Sequence, residues 1–365
     1  MEETWSDLKE IALKCKEKLN NIEKYKVVLF GAGALGTRAY ETIKEDMKIE
    51  ALADNNTDLI GKRIAKYDDL IVLAPEELEN QKGEIFVIVI AMARHYNTIE
   101  SQLKEKGIRA ITYMEYVLAK KFIELEYVYN ELLQDEESKK TYLSVILGYL
   151  KNDLSYLKKV YVRNQYFEVP EFSVPVAGDV FVDCGAYVGD SIETYLATQY
   201  GIVDKVYAFE PTEKCCIAMR YRMERLAKEW ALEEEKLIIE QKVVGLKNGV
   251  EYFSKTKDAN TANAVADKKN NGTVELESVS LDMYFENKQE KPTFIKADVE
   301  GSELDLLLGA KNIITQNKPR LAICVYHKID DLFRLPILIK KYNPEYKMEL
   351  RHHSPNYYET VLYCY

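Results

Sequence analysis

The stretch Val180-Phe181-Val182-Asp183-Cys184-Gly185-Ala186-Tyr187-Val188-Gly189-Asp190-Ser191 constrains this chain more than any other. An apolar run ends in a carboxylate, passes two glycines and reaches an acid–hydroxyl pair. Apolar residues running straight into glycine predict a buried parallel strand that turns into a helix. Missing side chains at such a turn let a ligand approach the backbone, and the first helical N–H groups face it. A second apolar run, Val206-Tyr207-Ala208-Phe209, ends in Glu210-Pro211. In doubly wound sheets an acid at the tip of the second strand accepts hydrogen bonds from ribose hydroxyls.

Downstream the pattern alternates. Strands are predicted over 179–183, 205–209, 237–244, 293–298 and 320–326, with helical segments between them. A final pair, Tyr346–Arg351 and Glu359–Cys364, suits the antiparallel end of the same sheet. Between the third and fourth strands lies an insertion with short strands at Glu251–Ser254 and Thr273–Ser280. The polar loop between them, Lys255 to Gly272, has the composition of a mobile lid or of plain surface.

The glycine turn and Glu210 together resemble the cofactor site of Rossmann-like S-adenosylmethionine-dependent methyltransferases. Phe294-Ile295-Lys296-Ala297-Asp298-Val299-Glu300-Gly301-Ser302-Glu303 narrows the resemblance to the FkbM family. Leu321-Ala322-Ile323-Cys324-Val325-Tyr326-His327-Lys328 and Glu359-Thr360-Val361-Leu362-Tyr363 are similar to that family in the same order. The resemblance covers roughly residues 160–365. It implies O-methylation of a sugar, glycan or similar small-molecule hydroxyl, with S-adenosyl-L-methionine as the methyl donor. Two departures stand out: Cys184 occupies a variable position, and Val325-Tyr326-His327 lacks the acid that many relatives carry before the histidine.

The expected cofactor-binding set is Asp183, Gly185, Ala186, Tyr187, Gly189, Asp190, Ser191, Glu210 and Pro211. Asp183 is expected to pair with the methionine ammonium, because an ionised acid at a buried strand end needs a partner. Glu210 is expected on the ribose, Tyr187 beside the sulfonium or packed, and Asp190-Ser191 as a helix cap. The expected catalytic set is His327, Asp298 and Glu300. An imidazole that titrates near neutrality suits removal of the hydroxyl proton, and the equal alternative is a histidine hydrogen-bonded at the strand end. The carboxylates are expected to contact the acceptor, with Glu303 better suited to helix capping. Related sugar O-methyltransferases use a metal, but here only Asp298 and Glu300 suggest one, and none is expected. His352 and His353 read equally as lining the acceptor cleft or as solvated.

The N-terminal part carries its own signal. Residues 3–24 place Leu8, Ile11, Ala12, Cys15, Leu19 and Ile22 on one helical face. The strand Lys26–Phe30 then runs into Gly31-Ala32-Gly33-Ala34-Leu35-Gly36, followed by a helix from Thr37 to Lys44 and a strand Ile49–Ala53 closed by Asp54. That is G-x-G-x-x-G in its strand–turn–helix context. Gly31, Gly33, Gly36 and Asp54 form a second candidate nucleotide or nucleotide-sugar site, with pyrophosphate on the helix N-terminus. The competing reading is a module that keeps its glycines for packing. The order of elements up to Gly107 resembles the small N-terminal domain of bacterial sugar acetyltransferases, and an NAD(P)-dependent oxidoreductase built on this site is the alternative function. Residues 113–165 are helical in pattern, interrupted at Asp135-Glu136-Glu137-Ser138.

The expected organisation is therefore an α/β chain in three parts. A smaller Rossmann-like domain covers 1–114, a helical bridge covers 115–170, and a Rossmann-like class I methyltransferase domain covers 171–365. The formal net charge of −10 disfavours nucleic acid, because phosphate binding draws on clustered Lys and Arg. Six cysteines without metal-ligand spacing read as reduced core residues. No h-region of a signal peptide is visible, and the longest apolar run, Ile85 to Ala93, falls well short of the ~20 residues of a membrane span. A cytoplasmic protein with no membrane partner is expected, with a homodimer left open.

Overall fold

The computed structural model describes residues 3–90, 93–254, 265–266 and 273–365. The chain divides into two compact units. One runs to Glu126 and takes in Leu143–Lys159; the other combines Tyr127–Tyr142 with Val160–Tyr365. The bridge expected over 115–170 is thus not a body of its own. Its helices are shared out, because their buried faces pack into two different cores.

The N-terminal unit holds a six-stranded sheet: β1 (Lys26–Phe30), β2 (Ile49–Ala53), β3 (Arg63–Ile64), β4 (Leu70–Leu73), β5 (Ile85–Val89) and β6 (Ala110–Thr112). Their order is β3-β4-β2-β1-β5-β6, with only β3–β4 antiparallel. Strand β5 is buried along its whole length, as a central parallel strand covered on both faces must be. The helix after β1 begins at Ala34 rather than Thr37, with Gly33 as its N-cap.

The C-terminal unit is built on seven strands: β7 (Val180–Cys184), β8 (Lys205–Phe209), β9 (Leu237–Glu240), β14 (Phe294–Ala297), β15 (Arg320–Cys324), β16 (Met348–His352) and β17 (Thr360–Cys364). Their order is β16-β17-β15-β14-β7-β8-β9. Strand β17 runs antiparallel between β15 and β16, and the others run parallel, as expected from the sequence. The run 237–244 splits: β10 (Val243–Val244) leaves the main sheet for a small one with β11 (Gly249–Ser254), β12 (Val265–Ala266) and β13 (Thr273–Val279). The loop read as a lid lies, apart from β12, outside the described residues.

Strand β7 has β8 on one side and β14 on the other, so the chain reverses direction across the sheet there. Ligands of open α/β sheets bind at such a switch point, beyond the carboxyl ends of the strands. An aromatic cluster supports it from beneath. Phe181 stacks on Tyr195 at 4.3 Å between ring centroids, and Phe294 lies 4.7 Å from Phe181. Pairs of this kind contribute about 0.5–1.5 kcal/mol each beyond the area they bury. No helix among the described residues is long and apolar enough to cross a membrane.

Candidate active site

The turn after β7 is set by close approach. Gly185 has φ +79°, and a Cβ there would lie 1.8 Å from the carbonyl oxygen of Asp298. Only glycine lets the β7 and β14 turns touch, so this residue serves packing between turns as well as any ligand. The N–H groups of Gly185 and Ala186 both donate to the Phe209 carbonyl at 3.0 Å. Gly189, at φ +78°, caps the helix Asp190–Thr198 by its backbone alone. Tyr187 has φ +47° and is about half exposed, at 46%.

Glu210, just beyond β8 and followed by Pro211, is buried. Its Oε2 accepts the Tyr187 N–H at 3.0 Å and its Oε1 accepts the Thr212 N–H at 2.8 Å. Burial raises its carboxyl, and the Thr212 and Tyr187 contacts offset only part of that rise.

Asp183 corrects an expectation. It is fully buried, and its partner comes from within the chain: Lys296 Nζ lies 2.9 Å from Oδ1 and the Ser191 hydroxyl donates to Oδ2. The register of β7 against β14 sets Lys296 directly beside Asp183, and Nζ also donates to the Gly185 carbonyl at 2.8 Å. The ionised acid already has its counter-charge, which removes the reason for assigning it to a ligand ammonium. The same contact turns Ser191 away from capping, and Asp190 makes no cap either.

Asp298, Glu300 and His327 do converge. Asp298 follows β14, and its carboxylate accepts the Tyr166 hydroxyl at 2.9 Å and the Tyr326 hydroxyl at 3.1 Å. Burial alone would raise this carboxyl; Lys296, His327 and the two hydroxyls outweigh it and hold it below the ordinary range. His327 follows β15, its side chain 7% exposed. Its Nδ1 lies 2.9 Å from Glu303 Oε1, and its Nε2 lies 3.3 Å from Glu300 Oε2 and 3.6 Å from Asp298 Oδ1. Burial would lower this imidazole, but the three carboxylates push it up to about 10. The expectation of a histidine titrating near neutrality is therefore corrected: at pH 7 this one carries a proton. Glu303, fully buried, accepts the Val299 and Gly301 N–H groups at 3.1 and 3.2 Å, tying the β14 turn together.

His352 and His353 are buried rather than solvated. His352 Nδ1 meets the Thr360 hydroxyl at 2.8 Å, and His353 Nε2 meets the Tyr363 hydroxyl at 2.8 Å. Burial lowers both to about 4.

Sequence reasoning missed Tyr166, Tyr326 and Lys296 as parts of this site. The backbone carries a signal that sequence does not. Tyr166, Tyr187, Glu300 and Glu359 all sit at positive φ, 68°, 47°, 53° and 68°. Non-glycine residues in that region cost of order 1–3 kcal/mol each and cluster at functional sites.

In the N-terminal unit, Asp54 lies where the fingerprint requires. Its Oδ2 accepts the Ala32 N–H at 2.7 Å, and its Oδ1 accepts the Asn56 N–H at 2.8 Å. A Cβ on Gly31 would meet the Ile90 carbonyl oxygen at 2.0 Å, and one on Gly36 the Gly31 carbonyl oxygen at 1.8 Å, whereas one on Gly33 would meet nothing within 4 Å. Gly31 and Gly36 are thus accounted for by packing, and Gly33 faces open space.

Residues 183–353 match the family model described as the methyltransferase FkbM domain, and residues 23–112 match the one described as C2185-like, N-terminal. No curated protein matches the chain. Among solved structures it is similar to methyltransferase FkbM from Methylobacillus flagellatus KT, at 18% identity and a TM-score of 0.58, over 98% of this chain and 99% of that one. Looser likenesses link it to an rRNA methylase from Streptococcus thermophilus (14% identity, 58% of this chain, 92% of that one, TM-score 0.31) and to UDP-D-quinovosamine 4-dehydrogenase from Vibrio fischeri (20%, 24%, 77%, 0.21). The sheet order and the switch-point turn agree with the match of residues 183–353, just under half of the chain, to the methyltransferase FkbM domain.

Proposed function

We propose that the C-terminal unit transfers a methyl group from S-adenosyl-L-methionine to a hydroxyl of a carbohydrate or similar small-molecule acceptor. One observation carries the reading: a glycine turn with a buried acid at the next strand tip adjoins a carboxylate–imidazole cluster on the same sheet edge. Donor and acceptor positions are then neighbours, as an in-line displacement requires.

When bound beside the β7 turn, S-adenosyl-L-methionine would supply an electrophilic methyl group on a sulfonium, with a neutral thioether as leaving group. This chain's part is to bind and orient. Each Glu210 oxygen keeps a lone pair after accepting one backbone N–H, enough to accept a ribose hydroxyl. The backbone of Gly185, Ala186 and Tyr187 forms the wall, and Asp183 with Lys296 fixes that wall from behind. Asp298 and Glu300 accept the acceptor's O–H and receive its proton as the new bond forms. His327, already protonated at neutral pH, steadies that negative charge rather than serving as base.

Thermal shift tests the cofactor. A ligand at 100 times its dissociation constant stabilises by about 2.7 kcal/mol. S-adenosyl-L-methionine is expected to raise the melting midpoint of the wild type and not of Glu210→Ala; a wild type unmoved by the cofactor sinks the reading. A nucleotide-sugar reading of the N-terminal unit is favoured by Gly33, whose open face suits close approach of a diphosphate. A UDP-sugar in the same assay, lost in Asp54→Ala, would support it.

A further inference from the structure

The loop that joins β16 to β17 ends in Tyr358 and Glu359, and it holds Glu359 at φ +68°. The His353 N–H donates to the Glu359 carbonyl at 2.8 Å, so the hairpin is closed by backbone alone. Glycine meets such a conformation more easily. The side chain kept there is partly buried and enters a network that the turn does not need. Gln165 Nε2 donates to Glu359 Oε2 and, at 3.0 Å, to the Tyr166 hydroxyl, which in turn donates to Asp298 at 2.9 Å. A continuous hydrogen-bond chain therefore ties Glu359 to Asp298. Tyr166, its middle link, is also held at φ +68°.

Asp298 and Glu359 bring carboxylate oxygens to within 4.8 Å of each other. Like charges so placed repel, and burial together with the Asp298 charge raises the Glu359 carboxyl. Both groups still have acceptor capacity. Each Asp298 oxygen accepts one tyrosine hydroxyl and keeps a lone pair, and Glu359 Oε1 accepts no hydrogen bond from the described residues. Two neighbouring acceptors suit two neighbouring donors. Hydroxyls on adjacent ring carbons are such a pair, with oxygens about one hydrogen-bond length apart. An apolar surface adjoins them. Tyr358 is 49% exposed and meets Tyr326 edge-to-face at 6.1 Å, and Tyr326 is the residue whose hydroxyl donates to Asp298. A tyrosine ring of this kind presents an apolar body to a ligand and a polar tip to water.

We propose that Asp298 and Glu359 grip two adjacent hydroxyls of an uncharged sugar ring, with Gln165 and Tyr166 fixing their separation and Tyr358 covering the ring's C–H face. The hydroxyl on Asp298 is the one that receives the methyl group, and the one on Glu359 selects which hydroxyl that is. Charge sharpens the choice. Lys296 already faces Asp183, and His327 lies among Glu303, Glu300 and Asp298, so the cluster keeps an excess of carboxylate. A ring that carries its own carboxylate or phosphate is repelled. The inference rests on the methyl-transfer reading for the fate of the bound hydroxyl, and not for the binding itself.

The test is saturation-transfer nuclear magnetic resonance on the full chain. The probes are the methyl glycosides of glucose, galactose and mannose, methyl glucuronide, and tetrahydropyran-4-ol, a ring with a single hydroxyl. At least one neutral hexoside is expected to bind, and the glucuronide and the single-hydroxyl ring to bind about 10-fold more weakly or worse, the loss of one hydrogen bond to a charged group. Glu359→Gly removes the carboxylate and suits the local φ, and Tyr358→Ala trims an exposed ring, so both variants keep the fold. Each should weaken hexoside binding by about 10-fold or more. Binding of none of the hexosides, equal binding of either control ring, or binding unchanged in Glu359→Gly or in Tyr358→Ala overturns the subsite. Hexoside binding by a chain whose melting midpoint ignores S-adenosyl-L-methionine keeps the subsite and sinks the methyl-transfer reading; a cofactor shift without hexoside binding does the reverse.

Discussion

The turn after β1 and the turn after β7 meet the same local problem in the same way. Each follows a buried parallel strand, each carries glycines, and each is held by an acid from the next strand over. Asp54 accepts the Ala32 N–H, and Glu210 accepts the Tyr187 N–H; the second oxygen of each acid accepts an N–H two residues downstream. What differs is what lies beside the turn. At β1 the Tyr67 hydroxyl donates to the Gly33 carbonyl at 2.7 Å and meets the Thr37 hydroxyl at 3.1 Å, a neutral setting. At β7 a buried Lys296–Asp183 pair underlies the turn, and the tips of β14 and β15 bring three carboxylates to one imidazole. The acid-on-turn device therefore belongs to the fold, and a charged cluster is added by the strands next to it.

That contrast can be broken by substitution. The largest effect is expected from Lys296→Ala, which strands a buried Asp183 and should cost about 3–5 kcal/mol. Tyr67→Phe, its neutral counterpart, should cost about 1 kcal/mol. Urea unfolding monitored for each variant decides; similar losses would mean the two turns are supported alike. Next comes Gly185→Ala, where positive φ and the Asp298 carbonyl together predict about 3 kcal/mol. Gly33→Ala has room and should cost about 1 kcal/mol or less, the price of a poorer N-cap.

Ligand response sharpens the comparison further. If Glu210 serves the cofactor, Glu210→Ala loses charge-assisted hydrogen bonds worth about 1.5–3 kcal/mol each, roughly a hundredfold in affinity. Asp54→Ala should leave the response to S-adenosyl-L-methionine unchanged. Calorimetric titration of both variants with the cofactor measures this, and a loss in Asp54→Ala would assign the cofactor to the wrong turn.

Much of this architecture was legible from period and punctuation. Apolar runs ending in glycine or acid, interrupted in β2 by the exposed Glu50, marked β1, β2, β7 and β8 to within a residue, because central parallel strands bury most of both faces. The convergence of Asp298, Glu300 and His327 was also legible, since strand ends in a doubly wound sheet share one edge. What stayed hidden depended on register and depth. Nothing in the sequence pairs Lys296 with Asp183; only the alignment of β14 on β7 does. Nor could spacing reveal that His327 is flanked by three acids, which push its imidazole up to about 10. The unit boundary was missed because the helices of 115–159 carry similar apolar faces but bury them in different cores.

The remaining histidines give the smallest and most specific contrast. Three of the chain's four lie in the C-terminal unit, at 327, 352 and 353. His352 and His353 are buried, and burial lowers both to about 4, below the ~6.5 of an unfolded chain. A group depressed in the folded state contributes its stability above the unfolded value and loses it as pH falls toward the folded one. Stability of the C-terminal unit should therefore decline from about pH 6.5 toward 4 as the unfolded chain takes up protons that the native state refuses. His353→Gln can keep a contact to the Tyr363 hydroxyl but has no proton to gain. Its decline between pH 7 and pH 5 should be shallower than that of the wild type, by up to about 2 kcal/mol. Parallel urea melts at the two pH values measure the difference. Equal slopes would mean that His353 is protonated in the folded state, which its contact with the Val162 carbonyl at 3.2 Å would then have to support against burial.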